Sequence, residues 1–177
     1  MKVQFYILGL LIRYGSQHGY HLKQIVEDQI SDFAQIKLPT IYYHLEKLKE
    51  NGYITASLDK DGNRPEKTVY TITEDGKNYF DVLLKKMQAE ELKRELPLDG
   101  AIFFRERINP NEFSTMIKNA KQILESKLKN VTAHRDATLR IIPETAKGGT
   151  QAIFSHHIHH LQAELDWLIE QEKELGD

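Results

Sequence analysis

The chain has 177 residues, of which 40% are hydrophobic, and its formal net charge is −2 at pH 7. It contains no cysteine, which excludes disulfides and thiolate metal sites and suits the cytoplasm. No apolar run reaches the ~18 residues of a membrane helix, and no small-residue cleavage site follows the apolar opening, so neither a membrane anchor nor a signal peptide is expected.

The first two predicted elements are helices. Apolar residues recur at helical spacing on two faces of residues 3–14, which predicts a helix that is buried on most sides. Gly15 and Ser16 end this helix. A second helix is expected to begin near Gly19, because apolar residues return at helical spacing over residues 22–30.

A third helix is predicted for residues 38–50. Its apolar face comprises Ile41, Leu45 and Leu48. Pro39 suits the first turn, where a missing N–H costs nothing, and Gly52 is a typical helix stop. The opposite face carries small, hydroxyl-bearing and basic groups, a composition that fits the major groove of DNA.

Two strands are predicted to follow the third helix. Apolar and polar side chains alternate over residues 54–58 and again over residues 69–73, and a period of two indicates strands. The segment between them contains Asp-Gly-Asn and proline, which favour a turn. Helix, strand, polar loop and strand form the wing half of a winged helix-turn-helix, so residues 1–76 are predicted to be a DNA-binding domain.

Five segments carry a recognisable family pattern. They are Ile7-Leu8-Gly9-Leu10-Leu11, Gly19-Tyr20-His21-Leu22, Thr40-Ile41-Tyr42-Tyr43-His44-Leu45-Glu46-Lys47-Leu48, Gly52-Tyr53-Ile54 and Val69-Tyr70-Thr71-Ile72-Thr73-Glu74-Asp75-Gly76. These segments resemble the first helix, the Gly-Tyr turn, the recognition helix and the wing-closing strand of PadR-family transcriptional regulators. The resemblance covers residues 3–80 and implies DNA binding. Lys37 and Pro39 stand where that family typically has a serine and a glycine ahead of the recognition-helix threonine.

Residues 77–177 are predicted to form a helical dimerisation and effector domain, which resembles the longer PadR subgroup. Asn109 as cap, Pro110 at the first position and Glu112 three residues after the cap predict a helix start. A break is predicted over residues 143–149. Apolar residues recur at heptad-like spacings on both sides of that break, which favours packing against a second copy. The predicted dimer contacts are Phe113, Ile117, Leu124, Leu128, Phe154, Ile158, Leu161, Leu165 and Leu168.

The predicted DNA contacts come from the second helix, the third helix and the wing. They are Tyr20, His21, Pro39, Thr40, Tyr42, Tyr43, Lys47, Lys60, Arg64 and Lys67. Residues 1–80 hold ten basic and ten acidic residues, so bulk charge does not favour nucleic acid and any contact must come from local placement. Packing against neighbours would equally explain the tyrosines, and Tyr42 is expected to be more structural than Tyr43. A solvated turn would equally explain the wing cations.

Two further groups of residues have competing interpretations. His156 and His160 lie one helical turn apart, a spacing that can chelate a metal. A solvated helix face more often explains such a group, which also includes His157 and His159, so no metal site and no cofactor is assigned, and a response to pH stays open. Four aromatic residues could line an effector pocket, although ordinary packing explains them equally well, and the effector site is left unknown. They are Phe5, Phe103, Phe104 and Trp167.

No catalytic motif is present. The chain lacks Gly-x-Ser-x-Gly, a phosphate loop, a dinucleotide fingerprint and a cysteine nucleophile, so an enzyme is not predicted. The predicted fold is mainly α with a small β wing: an N-terminal winged helix-turn-helix followed by a helical C-terminal dimerisation domain. The predicted function is binding of a palindromic double-stranded operator by a cytoplasmic homodimer, a repressor released by a small-molecule effector, with no role at a membrane. The alternatives are a winged-helix protein-interaction module and a metal-responsive regulator.

Overall fold

The computed structural model describes residues 2–32, 34, 36–59, 67–88, 96 and 98–174. The chain divides into two compact units, Met1–Leu92 and Lys93–Asp177. Two predicted wing contacts, Lys60 and Arg64, lie outside the described residues. Within the described part of the chain, no helix combines the length and the apolarity needed to span a bilayer.

The first unit contains four helices and three strands among its described residues. In chain order they are α1 Lys2–Tyr14, β1 Gln17–His18, α2 Gly19–Gln29, α3 Leu38–Glu50, β2 Ile54–Asp59, β3 Lys67–Ile72 and α4 Glu74–Gln88. The predicted order of three helices and two wing strands is confirmed, but the wing was predicted to have two strands only. The strands form one antiparallel sheet in the order β1-β3-β2. The third strand was missed because two residues are too short to show a period.

The core of the first unit fixes the orientation of α3. Ile41, Leu45 and Leu48, the apolar face predicted for this helix, are completely buried, against apolar side chains of α1 and α2 such as Leu22. Burying each side chain of this size contributes roughly 1.5–3 kcal/mol. Gly52 then ends the helix with φ +74°, a backbone conformation that glycine adopts without a steric penalty. The opposite face of α3 is therefore held toward solvent.

Helix α4 packs into the same core. Leu83 is buried within it, and the Phe80 ring stacks on Phe5 with centroids 4.9 Å apart. The first unit therefore includes α4, which the predicted boundary after residue 76 assigned to the second domain. The apolar residues of α4 pack on the core of the winged helix.

The second unit is built on two long helices. Its described elements are α5 Asp99–Phe103, a 3-10 helix at Arg105–Arg107, α6 Pro110–Ile141 and α7 Glu144–Glu174. The Asn109 side chain accepts a hydrogen bond of 2.9 Å from the Asn111 N–H, which confirms the predicted cap of α6. α6 and α7 form an antiparallel hairpin. Away from the turn of this hairpin, an ion pair joins the two helices, with Lys121 Nζ 2.7 Å from Glu172 Oε2.

The predicted break over residues 143–149 is wrong for most of its length. α7 begins at Glu144 and runs as a helix through Gly148 and Gly149. Each glycine inside a helix costs about 1 kcal/mol relative to alanine. Ala146 and Thr150 flank the two glycines and are buried, so packing of this face within the second unit outweighs that cost.

The predicted dimer contacts divide into two groups within the hairpin. Five are buried in their own chain: Phe113, Ile117, Phe154, Leu165 and Leu168. Four are half-buried: Leu124, Leu128, Ile158 and Leu161. Large apolar side chains that the prediction did not include are instead exposed on the outer faces, among them Ile123, Ile141 and Ile153. The heptad pattern is therefore largely used for packing α6 against α7.

Candidate nucleic-acid interface

The outward face of α3 carries five of the predicted DNA contacts. Four are exposed and one, Thr40, is half-buried; the exposed ones are Pro39, Tyr42, Tyr43 and Lys47. Lys37 occupies the N-cap position and makes no side-chain capping bond, which agrees with the departure from the family's serine. Amide groups in the first turn of α3 are therefore left without a side-chain cap, and such groups favour an anion.

The two adjacent tyrosines of α3 differ in their surroundings. The Tyr42 ring lies against Gly19 so closely that a Cβ atom at Gly19 would come within 2.6 Å of it. The Tyr43 ring makes an edge contact with His44 of its own helix, with centroids 5.1 Å apart, and it is 60% exposed, compared with 43% for Tyr42. The expectation that Tyr42 is the more structural of the two fits this geometry, and Tyr43 is the residue of the pair that is free to reach outward.

The two lysines of α3 form ion pairs with glutamates of the same helix. Lys47 Nζ lies 2.7 Å from Glu50 Oε2, and this hydrogen bond raises the pKa of Lys47. Lys49 pairs in the same way with Glu46 at 3.2 Å. Both pairs are exposed and therefore weak, so a phosphate oxygen can replace a carboxylate as the partner of Lys47.

A surface cavity of about 580 Å³ lies beside α3, at the N-terminus of α2. It brings together four predicted DNA contacts from three elements: Tyr20, His21, Tyr42 and Lys67. Five further lining residues were not among the predicted contacts: His18, Gly19, Gln24, Thr68 and Tyr70. We call this site the α2–β3 cavity. His18 belongs to β1, so the only signal that could have indicated it was its place next to the Gly19-Tyr20 turn.

The polar groups of the α2–β3 cavity suit an anion. Lys67 is exposed and forms no ion pair with another residue in the described part of the chain. His21 is held by a hydrogen bond between its Nδ1 and Gln17 Oε1. Burial, and secondarily the Glu46 carboxylate, raises the pKa of Tyr70 at the cavity wall, so its phenol stays neutral and adds no negative charge. A cation, hydroxyl groups and a helix N-terminus are the groups that bind phosphate.

The four aromatic residues considered for an effector pocket have different surroundings. Phe5 is part of the first unit's core and Trp167 packs with Leu168 and Phe113 in the second. The other two aromatic candidates, Phe103 and Phe104, are exposed. Among the described residues, no group of three or more metal-ligating side chains is arranged to hold an ion.

Comparison with known proteins gives a consistent picture. Residues 7–82 match the model of the "Transcriptional regulator PadR-like family". The chain is 30% identical over 131 residues to the negative transcriptional regulator PadR of Bacillus subtilis, covering 73% of this chain and 70% of that protein.

The fold extends this likeness over nearly the whole chain. The crystal structure of Bacillus subtilis PadR in complex with operator DNA superposes with a TM-score of 0.85, at 21% identity and 99% coverage of both chains. The structure of the same protein in complex with p-coumaric acid gives a TM-score of 0.80, at 20% identity, covering 99% of this chain and 96% of that one. These matches confirm the mainly α fold with a winged helix, and the family match confirms a regulator rather than an enzyme.

Proposed function

This chain belongs to the PadR-like family of transcriptional regulators, and from that premise we propose that it is a homodimeric repressor of an operator, released by a small-molecule effector. The observation that supports DNA binding is that the outward face of α3 adjoins the α2–β3 cavity. Tyr42 belongs to that face and also lines the cavity. Tyr43 and Thr40 reach base edges in the major groove. Lys47 and the cavity bind phosphates on either side and set the register.

Repression is supported by the name of a relative. The Bacillus subtilis protein that is 30% identical to this chain is a negative transcriptional regulator. A repressor does not need a surface that recruits RNA polymerase. It needs to bind the operator, with an affinity that falls when the effector binds. This action on DNA, together with the absence of cysteine, favours the cytoplasm as its location.

Dimerisation through the second unit is supported by its outer apolar surface. Ile123 is 54% exposed and lies in a groove of about 620 Å³ that also includes Leu98, Met116 and Ala120. An exposed apolar groove on a long helix is typical of a protein–protein contact. A twofold dimer would place its two α3 helices about 34 Å apart, one turn of DNA, and would require a palindromic operator.

Release by an effector is supported by the neighbouring structure that contains p-coumaric acid. The dimer is expected to have one geometry in which the spacing of its two α3 helices matches the operator and another in which it does not. A ligand that binds the second geometry more tightly lowers the fraction of dimers that can bind the operator. The coupling equals the difference of its affinities for the two geometries, so a ligand that binds both equally releases nothing.

The test is fluorescence anisotropy of the full chain with DNA from upstream of its own gene and with scrambled DNA of equal length, at two salt concentrations. We expect a preference of about 10³ or more for the upstream DNA and weaker binding to both at higher salt. Equal affinity for the two DNAs would overturn the proposal.

A protein-interaction module is the second candidate. It is favoured by the equal numbers of acidic and basic residues in residues 1–80 and by the carboxylate partners of Lys47 and Lys49. Weak DNA binding that does not respond to salt would support this candidate, because a protein partner does not displace counterions from DNA.

A further inference from the structure

Two histidines on the exposed side of α7 direct ring nitrogens at each other. His156 and His160 are one helical turn apart and both exposed, and their Nε2 atoms lie 2.8 Å apart. The ring planes are inclined by 80°. A hydrogen bond between two neutral imidazoles needs one protonated and one bare nitrogen, so a single proton lies between the rings. When that proton is carried by the Nδ1 atom of the same ring instead, both rings stay neutral and each Nε2 atom has a free lone pair.

We propose that His156 and His160 form a bidentate site for a divalent late transition-metal ion, bound through the Nε2 atoms of two neutral rings that each keep their proton on Nδ1. Imidazole is a preferred ligand of nickel, copper and zinc. With metal–nitrogen bonds of about 2.0–2.1 Å, nitrogens 2.8 Å apart subtend an angle of about 84–89° at the metal. Angles near 90° suit octahedral or tetragonal Ni²⁺ and Cu²⁺ better than tetrahedral Zn²⁺.

The neighbouring histidines are arranged differently. His159 Nδ1 lies 2.6 Å from the Ser155 carbonyl oxygen, so this nitrogen donates to the backbone and its ring is oriented by that bond. His157 is half-buried, with its ring centroid 5.9 Å from that of His156. The described residues provide no third ligand, so water occupies the remaining coordination positions. The site is therefore one of two protein ligands on one helical turn.

The ligands belong to the second unit and the DNA contacts to the first, so none of the residues proposed to contact DNA is needed to hold the ion. An ion bridging two side chains four residues apart also stabilises the turn of α7 between them.

The test is calorimetric titration of the full chain with Ni²⁺, using protein without a histidine tag. We expect one Ni²⁺ per chain, and a loss of affinity of roughly tenfold or more in either His156→Ala or His160→Ala, because each leaves a single imidazole. His159→Ala is the matched control and is expected to bind within about twofold of the wild type.

Folding does not limit this test, since alanine is the strongest helix former and His156, His159 and His160 are exposed; far-UV circular dichroism checks that helix content is kept. Wild-type affinity in His156→Ala or His160→Ala would overturn the proposal. So would an equal loss in His159→Ala, or no binding by the wild type.

Discussion

The two units use their apolar side chains in different ways. In the first, α3 buries its whole apolar face and exposes two tyrosines and two lysines to solvent. In the second, α6 and α7 bury Phe113 and Leu168 between them but leave Ile123 and Ile141 more than half exposed. A polar outer face suits DNA, whereas an apolar outer face suits another protein chain. The comparison therefore favours the first unit for the proposed recognition of an operator and the second unit for the proposed assembly.

The largest expected effect is that of Gly76→Ala on the first unit. A Cβ atom at this position would lie 2.0 Å from the Tyr53 carbonyl oxygen, so the junction between wing and α4 must move. We expect a loss of roughly 2–4 kcal/mol in the free energy of unfolding of this unit. All eight tyrosines lie in residues 1–92 and the single tryptophan, Trp167, lies in the second unit, so tyrosine absorbance and tryptophan fluorescence follow the two units separately in urea.

Gly148→Ala is the matched control for that variant. A Cβ atom there meets nothing within 4 Å, and the residue is inside α7. We expect the second unit to gain about 1 kcal/mol and the tyrosine transition to stay where it is. If the tyrosine transition of Gly76→Ala stayed at the wild-type urea concentration, the first unit would accommodate a Cβ atom at this position. The close approach of residue 76 to the Tyr53 carbonyl oxygen would then not limit its stability.

The second expected effect concerns assembly. Ile123→Asp places a charge in the exposed apolar groove of α6, and burying an unpaired carboxylate in an interface is strongly unfavourable. We expect the dissociation constant of the dimer to rise by about tenfold or more, measured by sedimentation velocity over a concentration series. Asn130→Asp adds the same charge at another exposed position of α6 and is expected to change little. Equal dissociation constants for Ile123→Asp and wild type would exclude this groove from the dimer contact.

The third expected effect concerns phosphate contacts. Lys47→Ala is expected to weaken binding to all DNA sequences alike and to reduce the slope of log affinity against log salt by about 0.9. Lys118→Ala removes an exposed lysine of the second unit and is expected to leave that slope unchanged. If both variants behaved alike, the assignment of DNA contacts to the first unit alone would be wrong.

The smallest expected effect is a pH dependence of the first unit. Burial lowers the pKa of His44 on α3, and its Nδ1 is buried without a hydrogen-bond partner among the described residues. Because the folded pKa lies below the unfolded value of about 6.5, the unfolded state binds more protons, and stability is lost as pH falls below that value. We expect urea unfolding at pH 7.5 and 5.5 to differ less in His44→Gln than in the wild type. If the stability difference between pH 7.5 and pH 5.5 were the same in His44→Gln and in the wild type, His44 would not be the source of the pH dependence.

Features that depend on local pattern were predictable from the sequence. The apolar face of α3, its end at Gly52 and the cap at Asn109 depend on neighbouring residues only, and all three are present in the structure. The predicted break at Gly148 and Gly149 is wrong because buried neighbours decide the outcome there. Propensity is a weak guide wherever packing opposes it.

The candidate site was predictable only in part. Tyr20, His21, Tyr42 and Lys67 were chosen individually, and their assembly around one cavity depends on the packing of Tyr42 against Gly19. That contact joins residues far apart in the sequence, and no local pattern encodes it. His18 was missed for the same reason, since it reaches the cavity through the pairing of β1 with β3.

Hydrogen–deuterium exchange of the full chain, free and bound to upstream or scrambled DNA, examines both units at once. We predict slower exchange with upstream DNA at the N-terminal half of α3, at residues 18–21 and at residues 67–70, and much less with scrambled DNA at the same salt. Slower exchange confined to α6 and α7, or equal for both DNAs, would contradict recognition of the operator by the first unit.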